Sequence, residues 1–410
     1  MQSGNTALPQ GKKTNRFAAL ISELTLKDVL FVLALATKPL YFLSSGSLQI
    51  SDLLFMLLFG LLIFDRAPVF QSREEERWIF WFSICLFYQA SVNIIAYYHI
   101  QLDSMTDSSL LKNNLYYIFN YLVCLTILQF RTVRGFNITL KLYLFGTALS
   151  VLVALLGVLI NYKESGRATS FFNNPNQLGY FAIVTLSAFT LFAKIIRPHM
   201  RLALVVLCLF LSMVSLSKAS ILSCSVLLFA YFINSRDRVG PAKLLSILIS
   251  ITVVALIIYV IMYSDWEFLN DKKLVRSIRL RMGSLTTEND SNLGISRGYD
   301  RILEIKSWIF VGVGEGAYNR FTVMRGMEVH SLYASYLVSY GIIGFCFLLR
   351  VMSMPLFSNK RYLRNLLCFS GILLYCVTHN GIRNTLVWSL LAMLMLRPYG
   401  DALPERRLKP

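Results

Sequence analysis

His330 lies in Glu328-Val-His330-Ser-Leu-Tyr333, directly before an apolar run that ends Tyr340-Gly-Ile-Ile-Gly344. It is one of only four histidines in the chain. An imidazole titrates near neutrality and can take a proton from a hydroxyl. Its place at the edge of an apolar run predicts chemistry at a membrane face, with Glu328 and Tyr333 as neighbouring candidate substrate contacts. Upstream, Arg297 and Arg301 stand four positions apart, so on a helix capped by Ser296 they share a face. Two guanidinium groups near a helix N-terminus suit an anion, and their forked donors match pairs of phosphate oxygens. A solvated basic face is the plainer reading of that spacing.

Other polar residues interrupt apolar surroundings. Lys218 sits in Ser215-Leu-Ser-Lys218-Ala-Ser220, between two short apolar arms, where a lysine is costly unless it reaches water or an anion. Arg167 and Asn176 bracket Arg167-Ala-Thr-Ser-Phe-Phe-Asn-Asn-Pro-Asn176, which also reads as a turn and helix cap. His379 and Arg383 share a short polar stretch near the C-terminus. Lys218, Arg297, Arg301 and Arg383 around His330 form a candidate anion pocket with one candidate base. Lys38-Pro39 reads as a helix kink with a snorkelling lysine. His99 and His199 fall at helix ends and receive no role.

No metal is expected, because the loop acids Asp271, Glu288, Asp290 and Glu304 are not grouped as magnesium ligands are. No cofactor is expected either. The Gly312-Val-Gly-Glu-Gly316 run lacks the βαβ setting of a dinucleotide fingerprint and the Gly-Lys-Ser/Thr of a P-loop. It reads as a tight turn that redirects the chain toward His330.

The elements that must position these residues are membrane spans. Of the 410 residues, 56% are hydrophobic, and the mean hydropathy is +0.57. Apolar runs suited to crossing hydrocarbon as helices recur at 28–43, 49–64, 78–98, 110–130, 138–160, 177–195, 201–216, 219–234, 244–263, 331–349, 364–378 and 384–396. The arms at 201–216 and 219–234 read as a helical hairpin. The first residues are polar and basic, unlike a cleaved signal peptide. The expected fold class is thus an all-α polytopic membrane protein of about twelve transmembrane helices.

The net charge of +18 is distributed as topology requires. With the N-terminus inside, alternate loops carry Arg66/Arg73/Arg77, Arg131/Arg134, Lys194/Arg197/Arg201, Arg236/Arg238/Lys243 and Arg350/Lys360/Arg361/Arg364, whereas 44–48 and 100–108 hold no Lys or Arg. Both termini are therefore expected in the cytoplasm. Because the basic clusters sit on separate loops, a nucleic-acid partner is unnecessary. The chain divides into spans 1–263, an outside loop 264–330 and spans 331–410. Within the loop, Leu274, Val275, Ile278 and Met282 recur at helical spacing with basic residues between them, which reads as an amphipathic surface helix. The seven cysteines lie in or beside apolar spans without CxxC spacing and read as buried small hydrophobes.

Gly312-Val-Gly-Glu-Gly-Ala-Tyr-Asn-Arg-Phe, Glu328-Val-His330-Ser and Tyr340-Gly-Ile-Ile-Gly together resemble the O-antigen ligase / O-antigen polymerase (Wzy-type) superfamily. Phe172-Asn-Asn-Pro-Asn176-Gln-Leu-Gly and Ser215-Leu-Ser-Lys218-Ala-Ser resemble its earlier motifs. The likeness covers 165–350. It implies a GT-C-like, metal-independent, inverting glycosyltransferase of the bacterial inner membrane, with its active site facing the periplasm. The implied donor and acceptor are undecaprenyl-diphosphate-linked oligosaccharides, and the implied partners are membrane lipid and a chain-length regulator protein. By the same resemblance His330 is the base, and Arg297 or Arg301 holds the diphosphate. Lys218 stands where the family usually has Arg, keeping the charge but losing the bidentate fork. The pattern leans toward polymerase. A ligase acting on lipid A–core and, in another class, a lipid-linked oligosaccharide flippase are the alternatives.

Overall fold

The computed structural model describes residues 24–43, 47–102, 108–161, 167–234, 294, 297–322, 326–359 and 361–396. Among the described residues the chain is all-α and contains no strand. The helices are α1 (Leu26–Ala36), α2 (Ile50–Ile63), α3 (Arg73–Leu102), α4 (Ser109–Arg134), α5 (Phe136–Ile160), α6 (Pro175–Leu191), α7 (Pro198–Ser215), α8 (Lys218–Asn234), the single turn α9 (Arg301–Glu304), α10 (Leu332–Phe357), α11 (Tyr362–Cys376) and α12 (Thr385–Met395). Among the described residues, four stretches are long and apolar enough to cross a membrane: Arg73–His99 of α3, all of α5, all of α7 and all of α10. α2, α11, α12 and Lys218–Phe232 of α8 are shorter apolar helices. The span expected at 244–263, the amphipathic segment at 274–282 and the Ser296 cap lie outside the described residues.

Local chemistry sets the helix starts. Thr25 and Asp28 form a reciprocal capping box on α1. Asn174 caps α6 through the Gln177 N–H, with Pro175 in the first turn. Ser331 caps α10 and Asn384 caps α12. α6 is buried from Leu178 through Leu191 and α12 from Thr385 through Met395, as expected of helices that are apolar all round and central to a bundle. α6 packs against α7, α8 and α11, and α12 packs against α4 and α10. Tight seams include the stacked Phe82 and Trp388 rings, 4.5 Å apart between centroids.

Ion pairs mark one end of the bundle. Arg131 meets Glu75 and Arg134 meets Asp28, each at 2.6 Å, and Lys27 pairs with Asp65. These residues lie at the start of α1, the end of α2, the start of α3 and the end of α4. At the opposite end the Asn173 side chain donates to the Leu43 carbonyl, and the Tyr41 N–H donates to the Phe171 carbonyl. The start of α6 is thus at the end away from those pairs.

Two sequence expectations change here. The first apolar run does not continue as a kinked helix: α1 stops at Ala36, before Pro39. Lys38 does not snorkel but is buried and paired with Asp52 at 2.8 Å. A carboxylate that already serves the α2 N-terminus is close enough to hold the ammonium, so it need not reach water. The cysteines are free; six are buried, but Cys346 is exposed on α10.

α10 is interrupted at Gly341, whose φ of +64° lies in the left-handed region. In an unbroken helix the Val338 and Ser339 carbonyls accept from the N–H groups of Ile342 and Ile343. Here those carbonyls accept from Val313 and Gly314, at 3.1 and 2.8 Å. The Ile342 and Ile343 N–H groups donate instead to the carbonyls of Ile309 and Phe310, at 2.9 and 3.1 Å. The segment 309–314 is thereby wedged into the break and replaces both lost bonds. Gly312 is required there: its φ is +85°, and a Cβ on it overlaps the Ser339 carbonyl.

Candidate functional site

The glycine-rich turn delivers Glu315 into the bundle, where it is 1% exposed. Its carboxylate accepts from the hydroxyls of Tyr117 on α4 and Tyr340 on α10, both at 2.9 Å. It also pairs with Arg383 at 2.5 Å. The Glu315 N–H donates to Asn93 Oδ1 at 2.8 Å, and the Glu315 carbonyl accepts from Asn113 at 2.6 Å. A buried carboxylate is tolerable only with such partners. Arg383 also reaches Glu328 at 3.1 Å, which fixes the strand of chain two residues before His330. Paired carboxylates hold the Arg383 guanidinium firmly charged against the opposing effect of burial.

His330 is exposed, immediately ahead of the Ser331 cap. Its pKa is lowered, first by partial burial and then by the positive charge of Arg297; Glu328 pushes it up and Arg301 down. His379, in the turn between α11 and α12, is pushed down to about 4 by burial, then by Arg297, His330 and Arg167. Two imidazoles and Arg297 therefore share one electrostatic neighbourhood, which favours the neutral form of both rings.

His379 is held on two sides. Its ring stacks on Tyr375, with centroids 4.4 Å apart and planes 19° from parallel, and Tyr375 stacks in turn on Tyr180 at 4.8 Å. Its Nδ1 lies 2.9 Å from the Thr378 hydroxyl. That hydroxyl donates to the Tyr375 carbonyl, so it accepts from His379 Nδ1–H and leaves the lone pair on Nε2. The Tyr375 hydroxyl donates to the Asn176 carbonyl at 2.9 Å. Arg167 donates to Asn176 Oδ1 and to the Ser215 carbonyl, each at 3.1 Å. Lys218 begins α8 three residues after Ser215. Asn176 thus ties α6 and α11 to the segment that carries Arg167.

The expected shared face of Arg297 and Arg301 does not form. Gly298 between them takes φ +82° and ends any common helical path. Arg301 is fully buried; it donates to the Met327 carbonyl at 2.7 Å and packs over the Phe321 ring at 4.6 Å. Burial lowers its pKa. Arg297 is half-buried, and its Nε is a buried donor with no hydrogen-bond partner. Tyr333 turns toward α11, where its hydroxyl donates to the Leu373 carbonyl at 2.9 Å. The turn before His330 is secured by Tyr299, whose hydroxyl accepts from Ser331 and donates to the Val377 carbonyl, both at 2.8 Å.

The structure therefore brings His330, His379, Arg297, Arg167, Asn176, Glu328 and Arg383 together at one end of the bundle. It turns Tyr333 into a helix-to-helix tie and makes Arg301 a loop anchor. Sequence reading passed over Glu315, Tyr117 and Tyr375; an acid between two glycines in an apolar chain was the available signal for the first. No protein-family model matches the chain, and no curated protein matches it either.

Proposed function

We propose that the chain is a polytopic glycosyltransferase of the bacterial inner membrane, of the O-antigen polymerase and ligase type. In this reading its roughly twelve spans form a GT-C-like bundle, both termini are cytoplasmic and the His330 end faces the periplasm. The observation that carries the reading is an exposed imidazole at His330, its pKa lowered by partial burial and then by Arg297, with the donor Nε of Arg297 buried and unused. Such a pairing suits a hydroxyl nucleophile beside an anionic leaving group.

The donor is a glycan on undecaprenyl diphosphate. Its diphosphate meets Arg297, with Arg167, which is tied to Asn176, and Lys218 at the start of α8 as further cations. His330 removes the proton of an acceptor hydroxyl, and the oxygen attacks the anomeric carbon from the face opposite the diphosphate. A carbon–oxygen bond forms to the acceptor as the bond to the diphosphate oxygen breaks, with inversion. The lipid diphosphate leaves with its charge held by the guanidinium groups. His379 Nε2 accepts a hydrogen bond from the sugar and orients it. Arg383, neutralised by Glu315 and Glu328, positions the His330 segment and is not a phosphate ligand. Polymerase action, in which the acceptor is a second lipid-linked repeat, is the favoured form.

Purified protein supplied with a lipid-diphosphate-linked oligosaccharide tests this directly. Glycan lengthening that survives a chelator supports polymerase action. Transfer only when lipid A–core is added makes it a ligase. Movement of the lipid across the bilayer with no new glycosidic bond overturns the proposal in favour of a transporter.

A further inference from the structure

We propose that the segment 305–312 is a re-entrant wedge, buried among the acyl chains of the leaflet on the His330 side of the membrane. The inference is independent of glycosyl transfer. Its first support is position. The backbone bonds that close the α10 break lie at residues 338–343, six to eleven positions beyond Leu332. At 1.5 Å per residue that is about 9–16 Å along the helix from its start, inside a candidate span. Irregular chain survives at such depth only when its backbone groups are satisfied by protein. Much of the wedge's backbone is satisfied in this way: the Ile309 and Phe310 carbonyls and the Val313 and Gly314 N–H groups bond α10, the Val311 and Gly312 N–H groups donate to the Trp308 carbonyl, and the Val311 carbonyl accepts from the Tyr88 hydroxyl of α3 at 2.9 Å.

The second support is the surface that results. Phe310 is 63% exposed and Val311 42%. They continue the apolar exposed face of α10 formed by Ile342 and Ile343. Trp308 is half exposed beside the exposed Lys306, the pairing of amphipathic ring and snorkelling cation that settles at a lipid headgroup boundary. The order Lys306, Trp308, Phe310 thus descends from polar to apolar along the chain. An aqueous setting leaves this patch and the lipid-facing side of α10 exposed together; hydrocarbon covers both at once.

The test uses the full chain in phosphatidylcholine nanodiscs. Phe310→Trp adds one indole at the wedge tip, and its emission is read as the difference from the unaltered protein. Blue-shifted added emission that is lost with brominated acyl chains and unaffected by aqueous iodide is the expected result. Added emission quenched by iodide and indifferent to bromine overturns the proposal. If the variant does not accumulate, Val311→Trp, whose side chain is likewise exposed at the wedge tip, answers the same question with the same two quenchers. Neither readout depends on enzymatic activity, so an inactive protein leaves this inference standing on its own result.

Discussion

Glu315 and Arg383 meet at 2.5 Å although 68 residues separate them in the chain. One comes from the glycine-rich turn wedged into α10, the other from the turn between α11 and α12. Their contact joins the two least regular parts of the site, and Arg383 carries it on to Glu328, beside His330.

Glu315→Gln removes one carboxylate from a guanidinium that is only partly reached by water. Breaking a buried pair leaves an uncompensated charge; with Arg383 still 24% exposed and Glu328 still present, the loss is about 2–3 kcal/mol. Thermal unfolding in detergent should show the decrease. Glu315→Asp, which keeps the charge, should recover part of it. A variant as stable as the parent refutes the bridging role.

Arg297 and Arg301 should separate cleanly on substitution. Arg301→Ala deletes a charged hydrogen bond and a cation–ring contact, a loss on the order of 2–3 kcal/mol with a matching drop in melting temperature. Arg297→Ala should leave stability within about 0.5 kcal/mol and abolish transfer from a lipid diphosphate. The reverse pattern, an inactive but stable Arg301 variant, moves the anion site to Arg301.

His330→Ala should eliminate glycan lengthening without reducing the amount of folded protein; normal products from that variant exclude it as the base. The pH dependence follows from the neutral rings. His379 is lowered to about 4 in the folded chain, so the unfolded chain binds its proton first. Stability is therefore highest above the ordinary imidazole range, declines as pH falls below about 6.5, and levels off below about 4. His379→Gln should flatten that decline, as followed by melting temperature across the same range.

Gly312→Ala should cost about 2 kcal/mol or more, because it combines a left-handed φ with overlap at the Ser339 carbonyl. Limited proteolysis should then cut the 305–320 region faster than in the parent. Unchanged protection refutes the wedged geometry.

The sequence made the helical runs legible because apolar stretches of span length leave few other folds. It also made His330, Arg383 and His379 conspicuous, since polar groups are rare in such a chain. Arg301 was not separable from Arg297, because a spacing of four promises a shared face and says nothing of the left-handed Gly298 between them. Glu315 was illegible for a different reason. Its burial depends on Tyr117, Tyr340 and Arg383, and no local pattern announces partners that far away. Lys38 failed similarly: its carboxylate lies on the next helix, so its own neighbourhood suggested water.

The Tyr180–Tyr375–His379 ring pile has a bearing on selectivity. An imidazole gripped on one face and at one nitrogen cannot swivel to suit whatever hydroxyl arrives. Gly381 tightens the grip, because any side chain there collides with Tyr180. On the proposed reading, an imidazole held this way discriminates between epimers by the direction in which a guest must offer its hydrogen, and broadening its diet would begin with loosening that pile.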